Sequence, residues 1–264
     1  MSLLDGKVAI ISGAARGLGE AFARRLAAEG ASLLLFDVLP RVEEVAAEIS
    51  AGAPGTVVAQ VADVSQRGDV EAVVSRAASE LGGIDILVNN AGTWRNTPVD
   101  THWEQSLLDW DYIMDTNLKG LLMLSRACVP HMRTRGGGDI VNISTYYVLP
   151  ARSGGTNPPN TDLYNASKWG INGFTDAWSK YLANDRIRVN AFCMGATDTP
   201  MLRGLFEGGR LPDDLAEVVM QPGQIAQLLV DLLQDGRTGE NIGAWAGEPV
   251  ELGPLKAPHQ RITG

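Results

Sequence analysis

The chain has 264 residues, of which 45% are hydrophobic, and its formal net charge is −9. This apolar content is close to that of ordinary globular proteins, which excludes an intrinsically disordered chain. The acidic balance argues against a nucleic-acid partner, which would require clustered Lys and Arg. No apolar run approaches the ~18 residues of a membrane span, and the first residues do not resemble a secretory signal.

The two cysteines, Cys128 and Cys193, lie far apart in the sequence and form no CxxC pair. This arrangement favours two buried thiols in a reducing compartment over a disulfide or a metal site. We therefore expect a cytoplasmic protein without a bound metal, a nucleic-acid partner or a membrane partner.

Short apolar runs alternate with helical patterns along the chain. Predicted strands cover residues 7–11, 32–36, 56–61, 84–88, 139–143, 186–192 and 241–245. Predicted helices cover residues 20–28, 42–49, 69–81, 118–132, 164–183 and 223–233. Apolar strands that alternate with helices indicate parallel βαβ units. The pattern predicts a doubly wound (Rossmann) α/β fold with a seven-stranded parallel sheet, helices on both faces, and a single domain over residues 1–264.

Two stretches interrupt this alternation. Residues 149–162 are rich in Gly and Pro and are predicted to form a loop, and residues 248–264 are predicted to form an irregular tail. Residues 198–220 are predicted to form a flexible substrate lid, with Gly204, Gly208 and Gly209 as hinges. Several leucines in this lid provide an apolar cover.

A glycine-rich turn lies between the first predicted strand and the first predicted helix. Gly13, Gly17 and Gly19 let the backbone approach a pyrophosphate, and the helix N-terminus offers unpaired N–H groups to it. Asp37 ends the second strand, where a carboxylate binds the ribose hydroxyls of an adenosine and repels a 2′-phosphate. Two unit charges 4 Å apart repel by about 1 kcal/mol in water and about 4 kcal/mol at an effective dielectric of 20. Asp37 therefore predicts NAD as the cofactor, although Arg16 is placed to reach a phosphate.

Three motifs together resemble those of the short-chain dehydrogenase/reductase family. They are Gly13-x-x-x-Gly17-x-Gly19, Asn89-Asn90-Ala91-Gly92 and Tyr164-Asn165-Ala166-Ser167-Lys168. Each motif alone is modest, but all of them occur in the family's order and spacing. The resemblance is to the compact single-domain branch, and it extends to about Gly247.

The resemblance implies functional roles for individual residues. Asp63, with Val64 beside it, matches the acid that meets the adenine amino group, and Asn90 begins the motif that lines the cofactor's ribose. The expected cofactor-binding residues are Gly13, Arg16, Gly17, Leu18, Gly19, Asp37, Asp63, Val64, Asn90, Ala91, Gly92, Tyr164, Lys168, Gly195, Thr197 and Thr199. The expected catalytic residues are Asn117, Ser144, Thr145, Tyr164 and Lys168.

The chemistry expected at this site depends on Tyr164 as general base or acid. A tyrosine has an ordinary pKa of about 10, and lowering it to about 7 takes roughly 4 kcal/mol of preferential phenolate stabilisation. Lys168, one helical turn later, can supply much of this and can also hold the nicotinamide ribose. The positive nicotinamide supplies more, and Asn117 is expected to support a proton relay through water.

The sequence departs from the family pattern at four places. The catalytic serine is expected as the second of two serines, but this position is Thr145, so Ser144 is the alternative. The interval from Thr145 to Tyr164 is 19 residues, which is longer than usual and indicates an insertion at the pocket rim. Met194 occupies the usual proline position before Gly195. The C-terminal end lacks the usual Asp-Gly-Gly.

Aromatic residues next to the motifs suggest the substrate. Trp94, Tyr146 and Tyr147 are expected to form aromatic substrate walls, although each alone is more typical of core or interface packing. We therefore expect NAD-dependent oxidation of an apolar or cyclic secondary alcohol, or the reverse reduction. A catalytically silent NAD-binding regulator is the alternative, and the four-residue spacing of Tyr164 and Lys168 disfavours a double-bond reductase. By resemblance, helices 118–132 and 164–183 predict a homotetramer.

Overall fold

The structure is a computed structural model that describes residues 2–149 and 158–255. Within these residues, the strands are β1 (Val8–Ser12), β2 (Ser32–Asp37), β3 (Val57–Val61), β4 (Ile86–Asn89), β5 (Gly138–Thr145), β6 (Ile187–Met194) and β7 (Asn241–Ala244). The helices are α1 (Gly17–Ala28), α2 (Arg41–Ser50), α3 (Arg67–Leu81), α4 (Trp103–Met114), α5 (Leu121–Arg135), α6 (Asp162–Tyr181), α7 (Pro200–Arg203), α8 (Asp213–Val218) and α9 (Pro222–Asp235).

The seven strands form one parallel sheet in the order β3-β2-β1-β4-β5-β6-β7. The chain builds outward from β1 to β3, returns to the other side of β1 at β4, and continues to β7. The sheet therefore has a topological switch point between β1 and β4, where open α/β sheets bind ligands at the carboxyl ends of the strands. The predicted doubly wound fold is confirmed.

Helices cover both faces of the sheet and enclose two apolar cores. On one face, α1 contributes Phe22 and Leu26, and α9 contributes Ile225 and Leu229. On the other face, α3 and α5 pack Val73 and Leu124 against the sheet. Spacings of three to four residues place these side chains on one stripe of each helix. Both cysteines are buried thiols.

The helical region after β4 differs from the prediction. The sequence predicted a helix from residue 118, whereas the structure has α4, a π-helical turn over Asp115–Gly120, and α5 from Leu121. Helix α4 was not predicted because its buried residues are only Asp109 and Ile113. Apolar residues on its other faces are exposed, so no apolar stripe marks it.

The two predicted irregular stretches are described only in part. Residues 150–157 of the predicted loop and residues 256–264 of the predicted tail lie outside the described residues. The described tail, residues 248–255, contains neither helix nor strand. Across the ranges 2–149 and 158–255, none of the helices combines the length and the apolar character that crossing a membrane requires.

Candidate active site

The carboxyl ends of the strands border a cavity of about 980 Å³ at the switch point between β1 and β4. It brings together residues from seven different segments that the sequence analysis selected. The predicted residues that line it are Gly13, Arg16, Gly17, Leu18, Asp37, Asp63, Val64, Asn90, Ala91, Gly92, Trp94, Ser144, Thr145, Tyr146, Tyr147, Tyr164, Lys168, Gly195, Thr197 and Thr199. Gly19 and Asn117 are not on its surface and lie behind it.

The glycine-rich turn fits a dinucleotide because its backbone leaves no room for side chains. Gly13 has φ +66°, and a Cβ atom there would lie 2.9 Å from the Ala91 Cα atom. A Cβ atom on Gly19 would lie 2.0 Å from the Gly13 carbonyl oxygen. Helix α1 starts at Gly17 without a side-chain cap, so its first-turn N–H groups remain available to an anion.

Ser12 and Asn90 hold this turn against the end of β4. The Asn90 side-chain amide donates to the carbonyl oxygens of Ser12 at 3.0 Å and of Gly13 at 2.9 Å. The Ser12 hydroxyl accepts bonds from the backbone N–H groups of Asn90 and Ala91, both at 3.0 Å. Asn90 therefore positions the turn, a role that the sequence analysis did not give it. The sequence analysis also did not identify Ser12 as a residue of the site.

Asp37 lies at the end of β2 with both carboxylate oxygens bonded to backbone. Its Oδ2 atom accepts from the Ala15 N–H at 3.0 Å, and its Oδ1 atom accepts from the Leu39 N–H at 3.0 Å. These bonds fix the carboxylate at the cavity wall. Arg16 is exposed at the same wall, so the two side chains that were predicted to compete over a 2′-phosphate are neighbours there.

Asp63 and Val64 border the cavity after β3. The Asp63 backbone N–H donates to the Asp69 carboxylate at 2.8 Å, and the Asp63 Oδ1 atom accepts from the Ser65 N–H at 2.8 Å. A Cβ atom on Gly120 would lie 2.8 Å from Val64, so this glycine allows close packing of the π-helical turn on the segment.

Tyr164 and Lys168 lie in the first turns of α6, one turn apart. The Lys168 Nζ atom donates to the Ile143 carbonyl oxygen at 2.8 Å and lies 5.6 Å from the centre of the Tyr164 ring. Burial lowers the pKa of Lys168 to about 8. Burial raises the pKa of Tyr164 to about 12, and a hydrogen bond with Thr145 opposes part of this rise.

The Tyr164 pKa corrects one sequence-based expectation. Lys168 was expected to lower it, but in the chain alone the loss of solvation outweighs every favourable interaction. The Lys168 ammonium is directed to a carbonyl oxygen rather than to the phenol. In the chain alone, burial therefore holds the Tyr164 pKa above its ordinary value.

Thr145 and Ser144 point in different directions at the end of β5, as successive residues of a strand must. The Ser144 hydroxyl donates to the Asn172 Oδ1 atom at 3.1 Å and lies 3.4 Å from the Lys168 carbonyl oxygen. Thr145 instead forms the hydrogen bond with the Tyr164 phenol. This geometry favours Thr145 over Ser144 as the hydroxyl that meets a substrate oxygen.

Asn117 lies in the π-helical turn and is almost fully buried. Its Oδ1 atom accepts from the Thr93 N–H at 2.7 Å, and its Nδ2 atom donates to the Thr93 carbonyl at 3.0 Å and to the Ser167 hydroxyl at 3.0 Å. Single π turns inside α-helices often occur at functional sites. The Asn117 side chain is thus a link between the loop after β4 and the helix that carries Tyr164.

A second link joins the same loop to the start of α6. The Thr97 N–H donates to the Asn160 carbonyl at 2.7 Å, and the Thr97 hydroxyl donates to the Asp162 carboxylate at 2.6 Å. Arg95, between these links, pairs with the buried Asp109 at 2.9 Å and stacks on the Tyr112 ring at 3.6 Å. Sequence reasoning missed these residues because their contacts join distant segments and follow no local motif.

Buried amides also connect the sheet to the helices below the site. The Asn89 side chain donates to the Ser125 hydroxyl at 2.9 Å and to the Asn142 Oδ1 atom at 2.8 Å. The Asn142 amide donates to the Thr175 hydroxyl at 2.9 Å, and Thr175 donates to the Ile171 carbonyl. A polar residue in the middle of an apolar strand, as at Asn142, was the available sequence signal.

The substrate side of the cavity carries the predicted aromatic residues and the lid. Trp94, Tyr146 and Tyr147 line it, together with Pro158 at the described end of the predicted insertion. The lid adds four apolar side chains, those of Pro200, Met201, Leu202 and Leu205. The other tryptophans near the motifs, Trp103, Trp110 and Trp169, do not line the cavity.

The lid contains α7, a 3-10 turn at Glu207–Gly209 and α8. Its base is closed by two backbone bonds, from Asp198 N–H to Met220 carbonyl at 2.8 Å and from Met220 N–H to Ala196 carbonyl at 3.1 Å. Gly208 and Gly209 have φ values of +61° and +72°, which suit glycine. The third predicted hinge, Gly204, has an ordinary helical φ of −64°.

Comparisons with known proteins agree with this geometry. A family model described as short chain dehydrogenase matches residues 7–209. The 3-oxoacyl-[acyl-carrier-protein] reductase FabG of Thermotoga maritima is 35% identical over 251 residues, covering 92% of this chain and 98% of the relative. The oxidoreductase UcpA of Escherichia coli K12 is 35% identical over 238 residues, covering 89% of this chain and 87% of the relative.

A solved structure gives the same result for the fold. The 3-ketoacyl-(acyl-carrier-protein) reductase of Brucella melitensis, complexed with NADH, superposes with a TM-score of 0.77 at 31% sequence identity. The match covers 92% of this chain and 98% of that one. A family match over most of the chain, relatives above 30% identity and a shared fold lead to one conclusion. The chain belongs to the short-chain dehydrogenase family of oxidoreductases.

Proposed function

We propose that the protein is an NAD-dependent dehydrogenase that oxidises a secondary alcohol, or reduces the ketone in the reverse direction. The observation that carries this proposal is the hydrogen-bonded pair of Thr145 and Tyr164, with the Lys168 ammonium beside it. All three line the same cavity as the glycine-rich turn. An acid–base pair next to a dinucleotide cradle is the arrangement that alcohol oxidation needs.

Each residue has a separate role in the proposed reaction. Tyr164 takes the alcohol proton as general base, and Thr145 orients the substrate oxygen by a hydrogen bond. When bound, the nicotinamide supplies hydride chemistry at the carbinol carbon and a positive charge near the phenol. Lys168 keeps a cation beside Tyr164 and would hold the nicotinamide ribose. Asn117 acts as a positioning residue for the helix that carries Tyr164.

Lys168 alone does not lower the Tyr164 pKa to a value at which the phenol would act as a base near neutral pH. Moving the Tyr164 pKa from about 12 to near 7 takes roughly 7 kcal/mol of preferential phenolate stabilisation. The pKa of about 12 already includes the effect of Lys168, whose ammonium is directed to the Ile143 carbonyl oxygen. The positive charge of a bound oxidised nicotinamide would supply the remaining stabilisation, and this supports a base that becomes active only in the oxidised cofactor complex.

Asp37 supports NAD over NADP as the cofactor. Its carboxylate is fixed at the cavity wall by two backbone N–H groups, so it cannot turn away from a 2′-phosphate without losing both bonds. The exposed Arg16 opposes this preference, but its long side chain is flexible and its charge is screened by solvent. We therefore propose NAD, with Asp37 contacting the adenosine ribose.

The walls of the substrate side support an apolar or cyclic substrate. Trp94 and the two tyrosines after Thr145 provide flat aromatic surfaces, and the lid adds Met201 and Leu205. Such walls bury a hydrocarbon ring and leave polar recognition to a few hydroxyl groups. The relatives named as 3-oxoacyl reductases act on a ketone by name, which favours ketone reduction as a second candidate direction.

The test is NADH formation from a panel of cyclic secondary alcohols, followed by absorbance. The Tyr164→Phe variant keeps the ring and removes the proton acceptor, so we expect turnover to fall about 10²–10⁴-fold. The dissociation constant for NADH should not change. A variant that keeps half the wild-type rate would contradict the mechanism, and a wild-type protein that binds NADH without turnover would favour a regulatory role.

We also propose a homotetramer. Helices α4 and α6 expose large apolar side chains, among them Trp103 at 81%, Leu107 at 60% and Trp169 at 46%. Apolar surface of this extent on adjacent helices is typical of a surface that a partner covers. Sedimentation velocity at micromolar concentration measures the assembly directly, and a monomer would overturn the proposal.

A further inference from the structure

Two consecutive tyrosines follow the proposed catalytic hydroxyl. Strand β5 ends at Thr145, and residues Tyr146–Val148 form a single 3-10 turn. The rings of Tyr146 and Tyr147 lie with their centres 4.4 Å apart and their planes tilted by 41°. Both rings line the same cavity as Thr145 and Tyr164.

The Tyr147 hydroxyl belongs to a cluster of phenols rather than to an isolated ring. The Tyr146 and Tyr164 phenols both lie close enough to it to influence its pKa. Burial and the neighbouring phenols raise the pKa of Tyr147 above its usual value. It therefore stays protonated under the conditions in which Tyr164 must lose its proton, and it remains a hydrogen-bond donor.

Burying the hydroxyl of a phenol costs free energy that a purely apolar wall would avoid. The neighbouring walls, Trp94, Met201 and Leu205, present apolar surface to the same space. A hydroxyl that is desolvated by a closing lid loses its bonds to water, and this loss costs about 1–3 kcal/mol unless a partner replaces them. A substrate oxygen would be such a partner for the Tyr147 hydroxyl.

We propose that Tyr147 donates a hydrogen bond to a second oxygen of the substrate, near the carbon that reacts. The preferred substrates are then diols and hydroxy ketones rather than simple alcohols. Tyr146 is the positioning residue in this arrangement because its ring packs against that of Tyr147. This inference rests on the proposed dehydrogenase function and adds the substrate class to it.

The experiment compares cyclohexanol with cyclohexane-1,2-diol and cyclohexane-1,3-diol in NAD-dependent oxidation. The variant is Tyr147→Phe, and the matched control is Tyr181→Phe, which removes a hydroxyl from the exposed end of α6. We expect Tyr147→Phe to lower kcat/KM about tenfold for at least one diol and less than about twofold for cyclohexanol, because one hydrogen bond is lost. The control should match the wild type on all three substrates.

A binding measurement gives the same test without turnover. In the NADH complex of the inactive Tyr164→Phe variant, quenching of NADH fluorescence reports the dissociation constant of each diol. Adding Tyr147→Phe should weaken diol binding about tenfold.

The outcomes separate this inference from the function on which it rests. Equal losses on cyclohexanol and both diols, or unchanged diol binding, would overturn the role of Tyr147 and leave the dehydrogenase proposal intact. Absence of NADH formation from any alcohol of the panel would overturn the function, and the inference would fail with it.

Discussion

The glycine-rich turn and the substrate lid border the same cavity, but different interactions hold them. In the turn, Asn90 and Asp37 bond to backbone groups that are partly shielded from solvent. In the lid, Arg203 pairs with Asp198 at 2.6 Å, and the arginine side chain is 48% exposed. Exposed ion pairs contribute about 0–1 kcal/mol and are screened by salt, whereas shielded bonds to backbone are costly to break.

This difference indicates that the cofactor side and the substrate side of the cavity are held in place by different kinds of interaction. The cofactor side is fixed by hydrogen bonds to the backbone, so its shape should be the same before and after the cofactor binds. The substrate side is built from side chains of separate segments, and its predicted lid carries an exposed ion pair. Substitutions on the cofactor side should therefore change cofactor choice, and substitutions on the substrate side should change turnover while cofactor affinity stays constant.

The largest effect that separates the two sides is expected at Thr145. Thr145→Val keeps the shape and removes the hydroxyl that would stabilise developing charge on the substrate oxygen. Loss of one such donor typically lowers kcat about 10²–10³-fold. Stopped-flow or steady-state kinetics should show this loss with an unchanged NAD dissociation constant.

The matched control is the neighbouring Ser144→Ala. Its hydroxyl bonds to Asn172 beneath the site, so its loss should cost much less in kcat. Thr145→Ser should be close to wild type. If Ser144→Ala were the damaging change and Thr145→Val mild, the assignment of the catalytic hydroxyl would be wrong by one residue.

On the cofactor side, Asp37→Asn keeps an acceptor for the Ala15 N–H and removes the charge. Repulsion between charges 4 Å apart is about 1–4 kcal/mol, so the ratio of kcat/KM for NAD to that for NADP should fall about fivefold or more. Glu43→Gln, an exposed neutralisation on α2, should leave the ratio unchanged. A wild-type ratio near one would show that Arg16 offsets the carboxylate.

The smallest expected effect concerns Lys168, which lies where the two sides meet. Its pKa is about 8 in the folded chain against an ordinary 10.5, so over this range the unfolded chain binds a proton that the folded chain does not. The free energy of unfolding should therefore rise between pH 8 and 10, by up to about 1.4 kcal/mol per pH unit. Urea denaturation at pH 7.5, 8.5 and 9.5 measures it.

Lys168→Met provides the reference for this slope. Every other titrating group is common to both proteins, so the difference between their slopes isolates the lysine. Parallel stability curves would mean that Lys168 keeps its ordinary pKa in the fold.

The strands and the glycine-rich turn could be predicted because their causes are local. Apolar runs define the buried strands, and the positive φ of Gly13 requires the residue found there. The seven predicted strands match the observed ones to within two residues at most ends. Asp37 could also be placed, because the end of β2 is set by the apolar run before it.

Helix α4 and the links to α6 could not be predicted from local sequence. Helix α4 buries the polar Asp109 and exposes Trp103, which reverses the usual apolar stripe. The bond from Thr97 to Asp162 joins residues 65 positions apart, and the sequence around either residue contains no pattern that would predict it. The shift in the Tyr164 pKa also depends on burial, which only the folded chain defines.

The π-helical turn at Asp115–Gly120 has a consequence for how this chain can change over generations. One extra residue per turn rotates everything after it by about 100° relative to a regular α-helix. Deleting a single residue would restore the regular helix and swing Asn117 away from Thr93, its partner on the loop. Evolution should therefore retain the length of this turn as well as Asn117 and Gly120 within it.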